Sequence, residues 1–80
     1  MNEKLLGLLR QLEWEYRDKF EQATAAQKEV HDKNKALQDA DPQAKLSEHP
    51  FSEGEMRQLK IDMLRAQIEL AREEESNQGD

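Results

Sequence analysis

The sequence contains no cysteine, so neither a disulfide framework nor thiolate chemistry can hold this chain together. β-Branched residues are nearly absent too. Thr24, Val30, Ile61 and Ile68 are the whole set, and a sheet has almost no material to be built from. The longest apolar run, around Leu5 to Leu9, is far short of the ~20 residues a membrane span requires. No basic segment followed by a long apolar stretch opens the chain, so a secretory signal is not expected and the expected location is cytoplasmic. There is no local cluster of Lys and Arg, and the formal net charge is −6. That balance argues against direct nucleic-acid binding, which needs a basic patch to displace counterions.

What remains is helix. Leu, Ala, Glu, Gln, Lys and Arg dominate the sequence, and these residues lose little freedom in a helix. Charged residues (38%) outnumber hydrophobic ones (35%), which gives a thin core and a heavily solvated exterior, the composition of coiled coils and long helices. Eighty residues allow one domain at most, and a lone chain of that size buries only about 60% of its unfolded surface. The expected fold is all-α: an antiparallel two-helix hairpin in a single domain over residues 1–75. It has a helix over about 2–39, a loop over 40–51, a helix over about 52–75, and a disordered polar tail over 76–80.

The first helix has Asn2 as a suitable N-cap and Glu3 in the first turn, where the helix dipole favours an anion. Leu5, Leu9, Leu12, Tyr16, Phe20, Ala23, Val30 and Leu37 recur at helical spacings and form one stripe, with Leu8 and Ala26 on its edge. Glu13/Arg17, Glu15/Lys19 and Glu29/Lys33 are ordered favourably at i, i+4 on the exposed face. The stripe is rich in Leu and aromatics in its N-terminal third, and small or polar beyond it (Ala23, Ala26, Gln27, Val30, Asn34). Gly7 sits inside this helix, where Gly costs about 1 kcal/mol relative to Ala; either a close backbone neighbour explains it or it is incidental.

Pro42 and Pro50 exclude helix from the connection, and Leu46, the one large apolar residue between them, is expected to pin the loop to the hairpin end. Ser52-Glu53-Gly54-Glu55 then matches a capping box, with Phe51 and Met56 placed for a hydrophobic staple. The second helix carries two apolar seams. Met56, Leu59, Met63, Ala66 and Leu70 follow a 3-4-3-4 spacing; Ile61, Leu64, Ile68 and Ala71 lie roughly 140° away around the helix. Nothing in the sequence ranks the two. Glu73, Glu74 and Glu75 sit where the dipole prefers cations, so the last turn is expected to fray.

No arrangement of residues carries recognisable chemistry. His31, Asp32, Glu48, His49, Glu53 and Glu55 lack any metal-ligand spacing, and two helices offer no enclosed pocket, so no catalysis, metal, cofactor or small-molecule substrate is expected. Leu5-Leu6-Gly7-Leu8-Leu9 fits an LxxLL docking pattern, which leucine-rich helices produce by chance. The expected function is a non-enzymatic protein-interaction module (a small adaptor, a chaperone-like subunit or an inhibitor) acting on another protein, on a second copy, or both. The alternatives are an acidic decoy for a nucleic-acid-binding partner and an assembly scaffold.

The contact residues follow from helix lengths. If the second helix folds straight back from Pro42–Pro50, Met56 meets Leu37 and Leu70 meets Ala23. Leu5, Leu8, Leu9, Leu12 and Tyr16 are then left uncovered as an intermolecular surface, with Trp14 nearby. Ile61, Leu64 and Ile68 form the second expected contact.

Overall fold

A computed structural model describes residues 3–78 and places them in two helices, α1 (Glu3–Ala40) and α2 (Glu53–Gln78). They pack side by side, antiparallel, in a rod of 63 × 17 × 16 Å. The predicted all-α hairpin is therefore present. The proposed cap Asn2 lies outside the described residues. α2 continues through Gln78, over the first three residues of the segment read as a tail. Glu73 and Glu74 are half-buried rather than in a loose last turn, and Arg10 of α1 reaches Glu74 at 3.7 Å. Contact with α1 offsets the unfavourable dipole there.

α1 ends in a tight turn. Asp41 N–H still donates to the Leu37 carbonyl (2.8 Å), Asp41 Oδ1 accepts from Gln43 N–H (3.1 Å), and the Asp41 carbonyl accepts from Ala44 N–H (2.9 Å). Asp at the first position and Pro at the second are the residues this turn favours. The chain then runs back along α1 as a strap. Asn34 and Ser47 exchange two hydrogen bonds: Asn34 Nδ2 donates to the Ser47 carbonyl at 2.8 Å, and Ser47 N–H donates to Asn34 Oδ1 at 2.9 Å. Gln27 does the same with Phe51, donating to its carbonyl at 2.9 Å and accepting from its N–H at 3.1 Å. Leu46 does not pin this segment: it is 42% exposed, and the two side-chain amides hold the backbone instead. Ser52 and Glu55 then form the reciprocal capping box, Glu55 N–H to Ser52 Oγ at 3.1 Å and Ser52 N–H to Glu55 Oε1 at 3.2 Å.

The strap changes the register of the hairpin. Phe51, just before α2, lies beside Gln27, whereas pairing Met56 with Leu37 would put it near residue 42, so α2 slides roughly four helical turns further toward the N-terminus of α1 than a short loop would place it. Gln67 lies beside Glu13 (3.4 Å), and Arg10 beside Glu74. The expectation that Leu5, Leu8, Leu9, Leu12 and Tyr16 are all left bare is corrected for Leu9, which is buried, and for Leu5 and Tyr16, which are half-buried, while Leu8 and Leu12 stay exposed. Leu6 and Leu9 are buried, and together with Ala23 and Ala66 they are the buried apolar residues among those described. Ala66, with the half-buried Met56, Leu59, Met63 and Leu70, identifies the 3-4-3-4 seam as the one facing α1.

Candidate functional site

With α2 on the Leu6/Leu9 side, the residues expected to form one N-terminal contact surface divide into two groups. Leu9 is buried under α2, and Leu5 and Tyr16 are half-buried. Leu5 and Leu9 line a cleft with Glu69, Arg72 and Glu73, and Leu12 and Tyr16 line another with Asp62, Arg65, Ala66 and Glu69. These three, Leu5, Leu9 and Tyr16, serve the hairpin itself. This also removes the LxxLL reading, because its last leucine is not free to dock elsewhere. Leu6, which the sequence stripe passed over, takes the core position; the stripe is rotated toward it because α2 approaches from that flank.

Leu8, Leu12 and Trp14 remain outward, at 68%, 37% and 53% exposure. They do not make one patch. Leu8 and Leu12 are one turn apart on one flank of α1, whereas Trp14 is roughly 200° around the helix from Leu12. Gly7 is exposed, and a Cβ placed on it would meet nothing within 4 Å, so no backbone neighbour within the chain explains it.

The second group is coherent. Ile61, Leu64 and Ile68 follow one another at spacings of three and four on a single face of α2, with Ala71 completing it. Leu64 and Ile68 are 42% and 52% exposed, Ala71 is exposed and Ile61 half-buried. Because the opposite seam is the one engaged with α1, this face is turned away from the hairpin. Among the described residues nothing covers it.

The polar surface offers no comparable focus. Among the described residues, no three His, Asp or Glu side chains converge as metal ligands would, and no helix is long and apolar enough to cross a membrane. The surface clefts are open, and one of them is ringed by Gln27, His49, Pro50, Phe51, Ser52, Glu53 and Glu55 around the start of α2. Gln27 and Asn34 are the residues whose role the sequence reading missed. The available signal was two amides seven residues apart on the inward stripe, beside a proline-bounded segment. No known protein family, curated protein or solved structure matches this chain.

Proposed function

We propose that this protein is a non-enzymatic protein-interaction module, a small adaptor, chaperone-like subunit or inhibitor, that works by burying outward apolar helix surface against another protein chain. One observation carries the reading. Among the described residues, more large apolar side chains face out (Leu8, Leu12, Trp14, Leu37, Leu46, Leu64, Ile68) than are buried (Leu6, Leu9). Single exposed leucines are ordinary, but a rod whose interior holds fewer large side chains than its surface is short of core. Burying a Leu or Ile outright contributes about 1.5–3 kcal/mol; Leu64 and Ile68 are already about half covered, so covering the α2 face adds roughly half of that for each, which is still a large addition for so small a core. The same argument accommodates a homodimer, a heteromeric complex, or both.

The test is chemical cross-linking of the full-length chain in its native host, followed by mass spectrometry. Capture by the parent chain is expected to be lost with Ile68→Glu, while helicity by circular dichroism is retained. Binding is expected to change little with salt, as apolar docking does. A chain recovered monomeric and free of other proteins overturns the reading, and binding that collapses steeply with ionic strength replaces it with the acidic decoy.

A further inference from the structure

The outward face of α2 continues beyond its apolar residues at the same spacing. Arg57 precedes Ile61 by four residues, and Glu75 follows Ala71 by four. The full seam is Arg57, Ile61, Leu64, Ile68, Ala71 and Glu75, a 4-3-4-3-4 run that keeps to one side of the helix. Arg57 and Glu75 are both exposed, and neither takes part in an ion pair among the described residues. The seam is therefore a palindrome in spacing and an anti-palindrome in charge: a cation at one end, four apolar residues, an anion at the other.

That pattern is complementary to itself in one orientation only. With a second α2 antiparallel, about a twofold axis near Ala66, Arg57 faces the partner's Glu75, Ile61 faces the partner's Ala71, and Leu64 faces the partner's Ile68. The large Ile is matched with the small Ala, and both ends carry opposite charges. The flanks agree, since Lys60 is brought to the side of the partner's Glu74. Only Arg65, which meets its own copy near the axis, is unfavourable, and it is exposed to solvent. In the parallel orientation Arg57 faces Arg57, Glu75 faces Glu75, and Lys60 approaches Arg65 on both flanks. Like charges across a helix pair oppose association as opposite charges favour it.

We infer that a second copy of this chain is the occupant of the α2 outer face, docked antiparallel in an isologous twofold interface. The inference rests on the interaction reading above and adds to it a partner, a seam and an orientation. Two antiparallel α2 helices form the centre of the assembly, each still carrying α1 on its opposite side. α1's Leu8, Leu12 and Trp14 lie outside the seam.

The absence of cysteine makes orientation directly measurable. Single Ile61→Cys and Ala71→Cys variants of the full chain are mixed and oxidised, one of them carrying a mass tag. The antiparallel seam places these positions opposite each other, within disulfide reach, so cross-links between the two variants are expected and self-cross-links are not. Sedimentation of the native chain at about 100 μM is expected to give twice the 9.4 kDa chain mass. Arg57→Glu is expected to weaken the dimer tenfold or more, and Arg57→Glu combined with Glu75→Arg to restore it. Within one chain these residues are about 27 Å apart, so the rescue cannot be intramolecular. A dimer that forms self-cross-links, or a double variant no tighter than the single, overturns the antiparallel seam and leaves the interaction reading standing. A native chain that stays monomeric overturns the inference altogether, and the interaction reading is then decided by capture of a different protein in the host.

Discussion

The two ends of α1 are held by different physics. Toward the N-terminus, Leu6 and Leu9 are buried against a helix, and the contact is apolar, non-directional and proportional to the area covered. Toward the C-terminus, Gln27 and Asn34 hold an extended strap through paired amide–backbone bonds, which are directional and contribute little net energy each. A helix neighbour supplies a stripe of side chains. An extended neighbour supplies a row of unpaired backbone groups, and a side-chain amide, with an NH2 group to donate and a carbonyl oxygen to accept, matches one residue of that row. The change from Leu to Gln and Asn along α1 is thus a change of partner, where composition alone reads as a weakening seam.

That comparison can be broken at either end. The largest effect is expected at the leucine end. Leu9→Ala should lower stability by about 2–3 kcal/mol in urea unfolding followed by circular dichroism, because it removes a large buried side chain from a small core. A loss below about 1 kcal/mol would mean that helix-on-helix burial does not dominate the hairpin. At the amide end, Gln27→Ala should cost about 1–2 kcal/mol, since both bonds to Phe51 are partly buried. Its sharper signature is local: faster hydrogen exchange at the Phe51 amide with the Leu9 region unchanged. Equal loss of protection along the whole of α1 would contradict the division into two regions.

Between the two regions lies the start of α2. Ser52→Ala removes the acceptor for Glu55 N–H and should cost about 1 kcal/mol in thermal unfolding. An unchanged midpoint and unchanged helicity would show that the strap and not the cap fixes where α2 begins. The smallest expected change has the opposite sign. Gly7→Ala faces open space, so it should stabilise the leucine end by about 0.5–1 kcal/mol through helix propensity. Destabilisation there would reveal a close neighbour from another chain.

Much of this was legible in the sequence for identifiable reasons. Local chemistry announced the second helix: Ser52 and Glu55 bond reciprocally as their spacing requires. Periodicity announced both seams of α2, and Ala66 at 3% exposure decides between them. Register was not legible, because it depends on how far the connection travels before α2 starts. A turn at Pro42 followed by an immediate helix leaves Leu5 to Tyr16 bare. A strap laid along α1 does not: Ser47 lies at Asn34 and Phe51 at Gln27, so four strap residues advance along seven residues of α1, about 10 Å. The two prolines excluded helix, but only the positions of Gln27 and Asn34 show that the excluded segment lies flat on α1. Leu6 was missed for the same reason, since its inward position depends on the flank from which α2 arrives. For the outward face, the sequence located Ile61, Leu64 and Ile68 but gave no ground for preferring it as the exposed seam until Met63 and Ala66 were placed against α1.

The two amide clamps also make the connection a ruler. Ser47 and Phe51 are four residues apart, and both present their N–H and C=O to α1, with the chain bending at Pro50 and Phe51 between strap and helix. What the clamps read is the length of chain between them, independent of which side chains the strap carries. Lys45, Glu48 and His49 are exposed, and the clamps place no demand on their identity. A one-residue insertion between Ser47 and Phe51, by contrast, moves one of the two backbone groups off its amide, whatever residue is inserted. Through these clamps the chain sets the alignment of its two helices by counting.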